Sequence, residues 1–249
     1  MMTFRFSALD EMTPEQLAER DREVDGRWSD YQEMRMMQYL KSVGLGDSRC
    51  TFSAYRKDTP LEKKAAALCA SFVHDAVEKK KNGVLILLGP PGTGKTHLAK
   101  ACACEVIRRK DRHVGNVVAP STGQYCVTEL LCEQIDEILH RQESVKRYVR
   151  QDESRIKAFY EGLCGKDIVV LDEVFPIRST IDLNLQAGYL FRIIDGSLSM
   201  GNSLILCTNR GWDEFCGYLG EAAMSRILPL MTKVVTDGIS DKRQVKGDG

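Results

Sequence analysis

The sequence predicts an α/β fold, in which a five-stranded parallel sheet is flanked by helices and preceded by a helical extension. Two observations support this prediction. Short runs of consecutive apolar residues, such as VLILL at 84–88, alternate along the chain with longer segments whose apolar residues recur at helical spacing. Because these runs lack the polar–apolar alternation of a half-exposed strand, helices should cover both faces of the sheet.

Residues 1–49 are predicted to form a helical extension that binds a partner, in front of a second domain at 50–249. A helix is predicted over 13–42, because Thr13-Pro14-Glu15-Gln16 combines an N-cap, a proline at the first helical position and a capping-box glutamine. Its apolar residues recur at helical spacing, at Val24, Trp28, Tyr31, Met34, Met37 and Leu40. GLGDS at 44–48 ends the helix. Such a helix could dock in a groove of another protein or fold back on its own core.

The elements of the second domain are predicted from the same two patterns, in chain order. Strands are predicted at 84–88, 113–118, 167–174, 203–209 and 232–237. Helices are predicted at 60–80, at 95–109, at 127–163 with one break, and around Leu183, Ala187, Leu190 and Ile194. This alternation of strands and helices is typical of a parallel sheet.

Composition narrows the possible classes of protein. Of the 249 residues, 43% are hydrophobic and 28% charged, which suits a globular protein with a core. No apolar run approaches the roughly 20 residues of a bilayer span, and the N-terminus lacks a secretory signal, so we expect a cytoplasmic protein. Because the formal net charge is zero, nucleic acid would have to bind at a local basic strip. Basic residues gather at 107–112 and at 141–157.

The nine cysteines and four histidines indicate neither a zinc site nor a disulfide framework. No two cysteines are spaced C-x2-C, and the histidines complete no ligand pattern. We therefore expect reduced thiols that are mostly buried and act as small apolar side chains.

The segment GPPGTGKT at 89–96 lies between a predicted strand and a predicted helix. Gly89-x4-Gly94-Lys95-Thr96 matches the phosphate-binding P-loop, in which glycines let backbone N–H groups face the phosphates. Lys95 would reach the β- and γ-phosphates, and the Thr96 hydroxyl would bind Mg²⁺. An ordinary Gly-Pro turn is the alternative. The predicted nucleotide-binding residues of this segment are Gly89, Pro90, Pro91, Gly92, Thr93, Gly94, Lys95, Thr96 and His97.

Polar residues end two further predicted strands, where a parallel sheet places its ligand crevice. Asp172 and Glu173 follow DIVVL, so Asp172 could hold Mg²⁺ while Glu173 polarises the attacking water as a base. In CTNR, Asn209 rather than Thr208 would contact the γ-phosphate and the water. Taken alone, these residues could also be solvated acids and a turn-forming asparagine.

In this order and spacing, the motifs resemble AAA+ ATPases, which are P-loop NTPases of the ASCE type. CTFSAYRKD at 50–58 and LGEAAMSRI at 219–227, together with the motifs above, resemble the DnaC-type replicative helicase loaders. The related IstB-type transposition helper ATPases share most of the pattern. The resemblance covers about 50–243, and it implies ATP and Mg²⁺ as cofactors.

The resemblance implies four further site residues. Arg226 matches the arginine finger, which reaches the γ-phosphate held by a neighbouring subunit, although it could equally be a helix-surface arginine. Arg243 matches a sensor-II-like arginine that contacts the nucleotide of its own subunit. Phe52 and Tyr55 match the segment beside the adenine, although core packing would explain aromatic residues equally well.

Two features depart from the loader pattern. Similar loaders often carry an arginine where this chain has Ala222, which puts in doubt one basic contact at a subunit joint or at nucleic acid. Some loaders bind the helicase through a zinc module, but residues 1–49 contain no cysteine. The extension would therefore have to be purely helical.

The resemblance implies a protein that loads a hexameric replicative helicase onto single-stranded DNA, with ATP binding and hydrolysis as an assembly and release switch. It would assemble into an ATP-dependent oligomer or helical filament, with slow turnover until a partner completes the site. Three alternatives remain from the sequence. They are an IstB-type transposition helper that binds DNA and a transposase, a P-loop kinase with a small-molecule acceptor, and an adaptor with a degenerate ATPase.

Overall fold

The computed structural model describes residues 33–46, 50–79, 81–109, 111–114, 117–120, 122–144 and 149–243. Within 111–120, 140–144 and 149–153 the backbone alone is described. The helices are α1 at 33–42, α2 Pro60–Val77, α3 Lys95–Arg109, α4 Thr128–Ser144, α5 Val149–Cys164, α6 Leu183–Ser199, α7 Trp212–Leu219 and α8 Glu221–Ile227. The strands are β1 Val84–Leu88, β2 Asp111–Val114, β3 Val117–Pro120, β4 Gly123–Val127, β5 Ile168–Asp172, β6 Ser203–Thr208 and β7 Met231–Val235.

A five-stranded sheet in the order β4-β5-β6-β1-β7 forms the centre of the protein, and all its pairings are parallel. The predicted fold class is therefore confirmed. Strand β1 lies between β6 and β7, so the segment that follows β1 emerges beside the ends of both neighbours. This places the glycine-rich segment at the carboxyl edge of the sheet, where parallel sheets bind their ligands.

Two apolar clusters cover the two faces of the sheet. Alternate residues of each central strand point to opposite faces, as Leu85 and Ile86 do in β1. Helices α2 and α3 pack on one face, and α4, α6, α7 and α8 pack on the other. Because both faces are covered, β1, β5 and β6 are buried along their whole length, which explains their uninterrupted apolar sequences.

The strand predicted at 113–118 is wrong as a member of the main sheet. Residues 111–114 and 117–120 instead form a separate antiparallel pair of strands, β2 and β3, in which His113 pairs with Val118. The strand beside β5 is β4, whose sequence GQYCV is half-buried at the end of the sheet. The mixed polarity of β4 left it unpredicted. Gly115-Asn116, which separates Val114 from Val117, is a dipeptide typical of hairpins.

The other boundaries follow the predictions closely. The break within 127–163 separates α4 from α5, while α2 ends three residues earlier than predicted. Helix α2 begins with a capping box, in which Thr59 accepts from the N–H of Glu62 (3.2 Å) and the Glu62 carboxylate accepts from the N–H of Thr59 (2.8 Å). Strand β5 ends at Asp172 rather than at 174.

The described end of the N-terminal extension packs on the sheet. Leu40 and Leu45 are buried in the cluster formed with α2 and α3. The Tyr39 hydroxyl accepts from the N–H of Gly123 (2.9 Å), and the N–H of Tyr125 donates to the Val43 carbonyl (3.0 Å). Residues 39–45 thus fold back on the core, whereas the predicted helix up to residue 32 lies outside the described residues.

None of the nine cysteines, all of them among the described residues, forms a disulfide, and each is buried or half-buried. Burial raises the pKa of the Cys132 thiol to about 12, and burial is also the main cause of the raised pKa of Cys207. These thiols stay protonated near neutral pH, as side chains that serve packing would. Among the helices described here, none combines the length and the apolar character that crossing a membrane requires.

Candidate functional site

A cleft of about 440 Å³ opens at the carboxyl edge of the sheet. Residues of the glycine-rich segment line one side, and the ends of β5 and β6 line the other. Residues 54–56 and the pair 242–243 close it from the two ends of the domain. The cleft therefore collects most of the residues that the sequence analysis selected, although they are far apart in the chain.

The glycine-rich segment has a backbone shape that side chains would prevent. Gly92 and Gly94 have φ angles of +84° and +93°, which residues with a Cβ rarely adopt. A Cβ on Gly94 would lie 2.9 Å from the Tyr55 ring, and a Cβ on Gly92 would collide with the Asp241 carboxylate. Glycine at these positions allows the loop to curl between residues 50–58, named here the lead-in segment, and the C-terminal segment around Asp241.

Lys95 begins α3 and is buried beneath the loop. Its ammonium donates to the carbonyls of Gly89 (2.7 Å) and Pro90 (2.8 Å). Burial lowers the pKa of this ammonium below its usual value, because the charged form loses hydration. The charge thus sits at the N-terminal end of a helix, where an anion is also favoured by the helix dipole.

Asp172, at the end of β5, is the centre of a cluster of oxygen atoms. Its carboxylate accepts from the Thr96 hydroxyl (2.7 Å), from the Tyr125 hydroxyl (2.8 Å) and from the N–H of Glu173 (3.0 Å). Burial, and then the Asp172 charge, raise the pKa of the Tyr125 phenol well above its usual value, so Tyr125 remains a donor. A carboxylate beside a hydroxyl suits Mg²⁺, which prefers oxygen ligands.

Glu173 and Asn209 both line the cleft, next to Asp172. Glu173 is exposed and has a φ of +56°, an uncommon conformation for a residue with a side chain. Thr208 is buried, and its hydroxyl donates to the Val174 carbonyl (2.7 Å). Thr208 also lines the cleft, but its hydroxyl is bonded to the backbone, so Asn209, directly after β6, is the better candidate to contact a ligand.

The aromatic residues of the lead-in segment separate in the structure. Tyr55 is buried and lines the cleft, whereas Phe52 packs against the core and is not among the described residues that line it. The His97 ring lies 5.5 Å from the Tyr55 ring, and its Nε2 hydrogen-bonds with the Thr51 carbonyl (2.7 Å). His97 thus fastens the lead-in segment to α3.

Residues 236–243, named here the C-terminal strap, cross the glycine-rich loop. Within the strap, the N–H of Lys242 donates to the Gly92 carbonyl (3.0 Å), and its ammonium lies 3.0 Å from the Glu62 carboxylate and 3.6 Å from the centre of the Tyr55 ring. The Thr236 hydroxyl is 2.7 Å from that of Thr93. Arg243, at the end of the strap, is exposed and lines the cleft.

Arg226 is not among the described residues that line its own cleft. It lies on α8, where its guanidinium is 2.5 Å from the Asp195 carboxylate and 5.8 Å from the centre of the Phe191 ring. About half of its side chain is exposed. The structure therefore brings Lys95, Thr96, Asp172, Glu173, Asn209, Tyr55 and Arg243 together, and leaves Arg226 on the surface.

Sequence reasoning missed several residues that support the cleft: Tyr125, Arg210, Thr236 and Lys242. Arg210 directly follows Asn209, and Lys242 directly precedes Arg243, so adjacency to a predicted site residue was the available signal. Tyr125 and Thr236 carried no motif. Of the basic strips, Arg108 and Arg109 pair with Glu33 (3.1 Å) and Glu78 (3.0 Å); most of 141–157 lies outside the described side chains.

The chain matches the family described as "IstB-like ATP binding protein" over residues 15–246. No curated protein matches the sequence. A solved structure of the DnaC helicase loader is similar with a TM-score of 0.58 and 20% identity, over 76% of this chain and 97% of that chain. A crystal structure of DnaI is similar with a TM-score of 0.52 and 18% identity, over 78% of this chain and 91% of that chain. The structure of AMPPCP-bound DnaA from Aquifex aeolicus has a TM-score of 0.53 and 16% identity, over 76% of this chain and 50% of that chain. At these identities the structural likeness concerns the fold.

Proposed function

Because the chain belongs to the family of IstB-like ATP binding proteins, we propose that it is a Mg²⁺-dependent ATPase that uses ATP binding and hydrolysis as a switch. The observation that carries this proposal is the contact of 2.7 Å between Thr96 and the Asp172 carboxylate, beside the buried ammonium of Lys95. Hydroxyl, carboxylate and ammonium are the groups that P-loop ATPases place around a triphosphate.

The glycine-rich loop and Lys95 bind the phosphates in this proposal. The backbone N–H groups of 89–96 surround them, and Lys95 exchanges its bonds with Gly89 and Pro90 for phosphate oxygens. Thr96 and Asp172 would hold Mg²⁺, which when bound neutralises charge on the phosphates. Tyr125 keeps the Asp172 carboxylate in place through its hydroxyl.

Glu173 and Asn209 act on the water that attacks the γ-phosphate. Glu173 is exposed at the cleft and accepts a proton from the water as a general base. Asn209 orients the water from the neighbouring strand end. Both residues line the same cleft as Asp172, which supports an attack beside the residues proposed to hold Mg²⁺.

The lead-in segment and the C-terminal strap hold the nucleoside. Tyr55 and Arg243 both line the cleft, so the nucleoside would lie within reach of these two segments. Arg243 serves as the sensor-II-like contact to the subunit's own nucleotide. The position of Phe52 in the core does not support a contact with the adenine.

Arg226 acts on the nucleotide of a neighbouring subunit. Its half-exposed position away from its own cleft supports this role, because a guanidinium on the surface can reach a site presented by another copy. The protein would therefore hydrolyse ATP as an oligomer or helical filament, in which each site is completed by two subunits.

For the biological role, we propose loading of a hexameric replicative helicase onto single-stranded DNA, with the part of residues 1–49 that precedes the buried segment 39–45 docking the helicase. The likeness in fold to the DnaC loader and to DnaI supports this role. An IstB-type transposition helper, which binds DNA and a transposase, is the second candidate, and the family description supports it.

Two experiments test these proposals. Lys95→Ala should weaken ATP binding about 10- to 100-fold, since a buried charged contact is lost, and Glu173→Gln should retain ATP but hydrolyse it about 100-fold or more slowly. Unchanged binding and hydrolysis in both variants would contradict the ATPase.

For the biological role, the full-length chain with ATP is mixed with a purified hexameric helicase and single-stranded DNA, or with a transposase and duplex DNA. Co-elution with the helicase supports loading. Co-elution with the transposase alone would favour the second candidate. Transfer of the γ-phosphate to a small acceptor, without release of inorganic phosphate, would instead indicate a kinase.

A further inference from the structure

Arg210 binds the turn that follows the strand β5. Its Nε donates to the Phe175 carbonyl (2.9 Å), and its Nη2 donates to the Pro176 carbonyl (2.9 Å). Its Nη1 is 2.5 Å from the Glu214 carboxylate, and the guanidinium lies over the Tyr218 ring, 5.3 Å from the ring centre. Only 13% of the side chain is exposed, so this arginine is fixed on all sides rather than solvated.

Most backbone N–H and C=O groups of the turn, residues 173–176, form hydrogen bonds. The N–H of Val174 donates to the Cys207 carbonyl (2.8 Å), and the Val174 carbonyl accepts from Thr208 (2.7 Å). The N–H of Phe175 donates to the Gln186 side chain (2.8 Å). Arg210 supplies the donors for the next two carbonyls. Since β5 ends at Asp172, these groups have no partner in the strand pairing and depend on the contacts described here.

This turn needs such support because it is strained. Glu173 and Phe175 have φ angles of +56° and +53°, in the left-handed region, which residues with a side chain rarely adopt. Strain of this kind persists only where the surroundings determine the conformation. Cys207 and Thr208 at the β6 end bind Val174, and Arg210, just beyond β6, binds the next two residues. The Arg210 N–H also donates to the Thr208 hydroxyl (3.1 Å), which links the two sets of contacts.

We propose that Arg210 is a positioning residue, which holds the Glu173 turn at a fixed distance from Asn209 so that base and water-orienting group act together. One side chain joins the two strand ends: Arg210 follows Asn209 directly and binds the backbone two and three residues after Glu173. This inference rests on the proposed role of Glu173 as the base. Arg210 acts through Glu173 and is not among the described residues that line the cleft.

The test compares Arg210→Met and Arg210→Lys with the wild-type chain. Methionine keeps the apolar stem but removes both hydrogen bonds, so hydrolysis should slow about 10- to 100-fold, as expected for a misplaced catalytic group. The affinity for ATP should change less than about twofold, because the lost interaction acts on hydrolysis only. Arg210→Lys should recover part of the rate, because its ammonium can donate to the carbonyls but lacks the planar geometry of a guanidinium. Steady-state hydrolysis and titration with a fluorescent ATP analogue measure the two quantities.

A double mutant separates positioning from a general structural role. If Arg210 acts through Glu173, Arg210→Met should slow hydrolysis little or not at all in the Glu173→Gln background. Single-turnover hydrolysis of ATP labelled at the γ-phosphate measures these low rates. Glu214→Ala is the matched control, because it removes the third partner of Arg210 and leaves both carbonyl bonds; its rate should stay near that of the wild type.

Several outcomes would overturn the inference. They are an unchanged rate in Arg210→Met, a loss of ATP affinity that equals the loss of rate, and equal losses in the wild-type and Glu173→Gln backgrounds. If Arg210→Met does not fold, as judged by thermal unfolding, the same comparisons are made with Arg210→Lys. Failure of the proposed function would look different, because Glu173→Gln alone would then hydrolyse ATP at the wild-type rate.

Discussion

The Lys95 ammonium binds carbonyl groups of the glycine-rich loop, and its protonation should make the affinity for ATP depend on pH. Its ammonium donates to two carbonyls of the loop, and its burial lowers its pKa. A bound triphosphate would favour the charged form, so binding and protonation are linked. Affinity is therefore full while Lys95 is protonated, and it falls as the pH rises through the lowered pKa.

We expect the affinity for ATP to fall between neutral and alkaline pH, at a lower pH than the usual lysine value of about 10.4 would give. Lys95→Arg is the control, because a guanidinium remains charged throughout this range. Titrations with a fluorescent ATP analogue at a series of pH values measure the effect. An identical pH dependence in both proteins would show that another group is responsible.

Tyr125 is the second residue with a specific prediction, since its hydroxyl donates to the carboxylate proposed to hold Mg²⁺. Tyr125→Phe removes this bond and leaves the ring. We expect hydrolysis to need about tenfold more Mg²⁺, as is common when a group that orients a metal ligand is lost. The measurement is the rate as a function of Mg²⁺ concentration. Restoration of the wild-type rate at high Mg²⁺ should follow, and a permanently low rate would contradict this explanation.

At the scale of elements, the buried strands were predictable because their sequences are determined by burial on both faces. Strands β1, β5 and β6 have consecutive apolar residues for this reason. Strand β4 was missed because it is half-buried, and its Gly, Gln and Tyr carry no such pattern. Strands β2 and β3 were assigned to the wrong sheet, because a short apolar run predicts a strand but not the strand with which it pairs.

The same reasoning separates the predicted and missed parts of the site. The residues of the loop were predictable because their spacing reflects local backbone geometry around a phosphate. The contacts of Lys242 with Glu62 and Tyr55 join segments about 180 residues apart in the chain. Pairing at such separation arises from the tertiary fold, and a single sequence contains no local signal for it.

The beginning of α2 carries a prediction of its own, because the Glu62 carboxylate both caps the helix and contacts Lys242. Burial alone would raise the pKa of Glu62, but hydrogen bonds from Thr59 and Lys242 lower it. A carboxylate with a lowered pKa stabilises the fold at neutral pH, and this contribution is lost as the pH falls through the folded-state pKa.

Two substitutions separate these contacts. Thr59→Ala removes the cap and should lower the free energy of unfolding by about 1 kcal/mol. Glu62→Gln preserves a capping side chain and removes the charge facing Lys242. Thermal unfolding should show that Glu62→Gln is less stable than the wild type at neutral pH, and that the difference shrinks in acid. A difference that is independent of pH would contradict a role for the charge.

At the scale of the whole molecule, the surface position of Arg226 predicts active sites shared between subunits. Arg226→Ala should bind ATP normally but hydrolyse it slowly, whereas Lys95→Ala should bind ATP poorly and still present its arginine. Mixing the two variants should therefore restore part of the hydrolysis, at the sites of the Arg226→Ala subunits. The measurement is the rate of phosphate release as the ratio of the two variants is varied.

The double variant Lys95→Ala/Arg226→Ala is the control, because it can contribute neither group. Adding it to Arg226→Ala should restore nothing. If mixing the single variants also restores nothing over a wide range of concentrations, each site is self-contained and Arg226 has no role in another subunit.

The hydrogen bond between Tyr125 and Val43 has a practical consequence for shortened forms of the protein. Strand β4 pairs with β5 on one side, and residues 39–45 cover its other side. A chain cut at residue 50 would present backbone groups of this outer strand without a partner, a surface prone to pairing with other chains. Such a truncated protein should therefore aggregate more readily than the full chain, even though its phosphate-binding loop is complete.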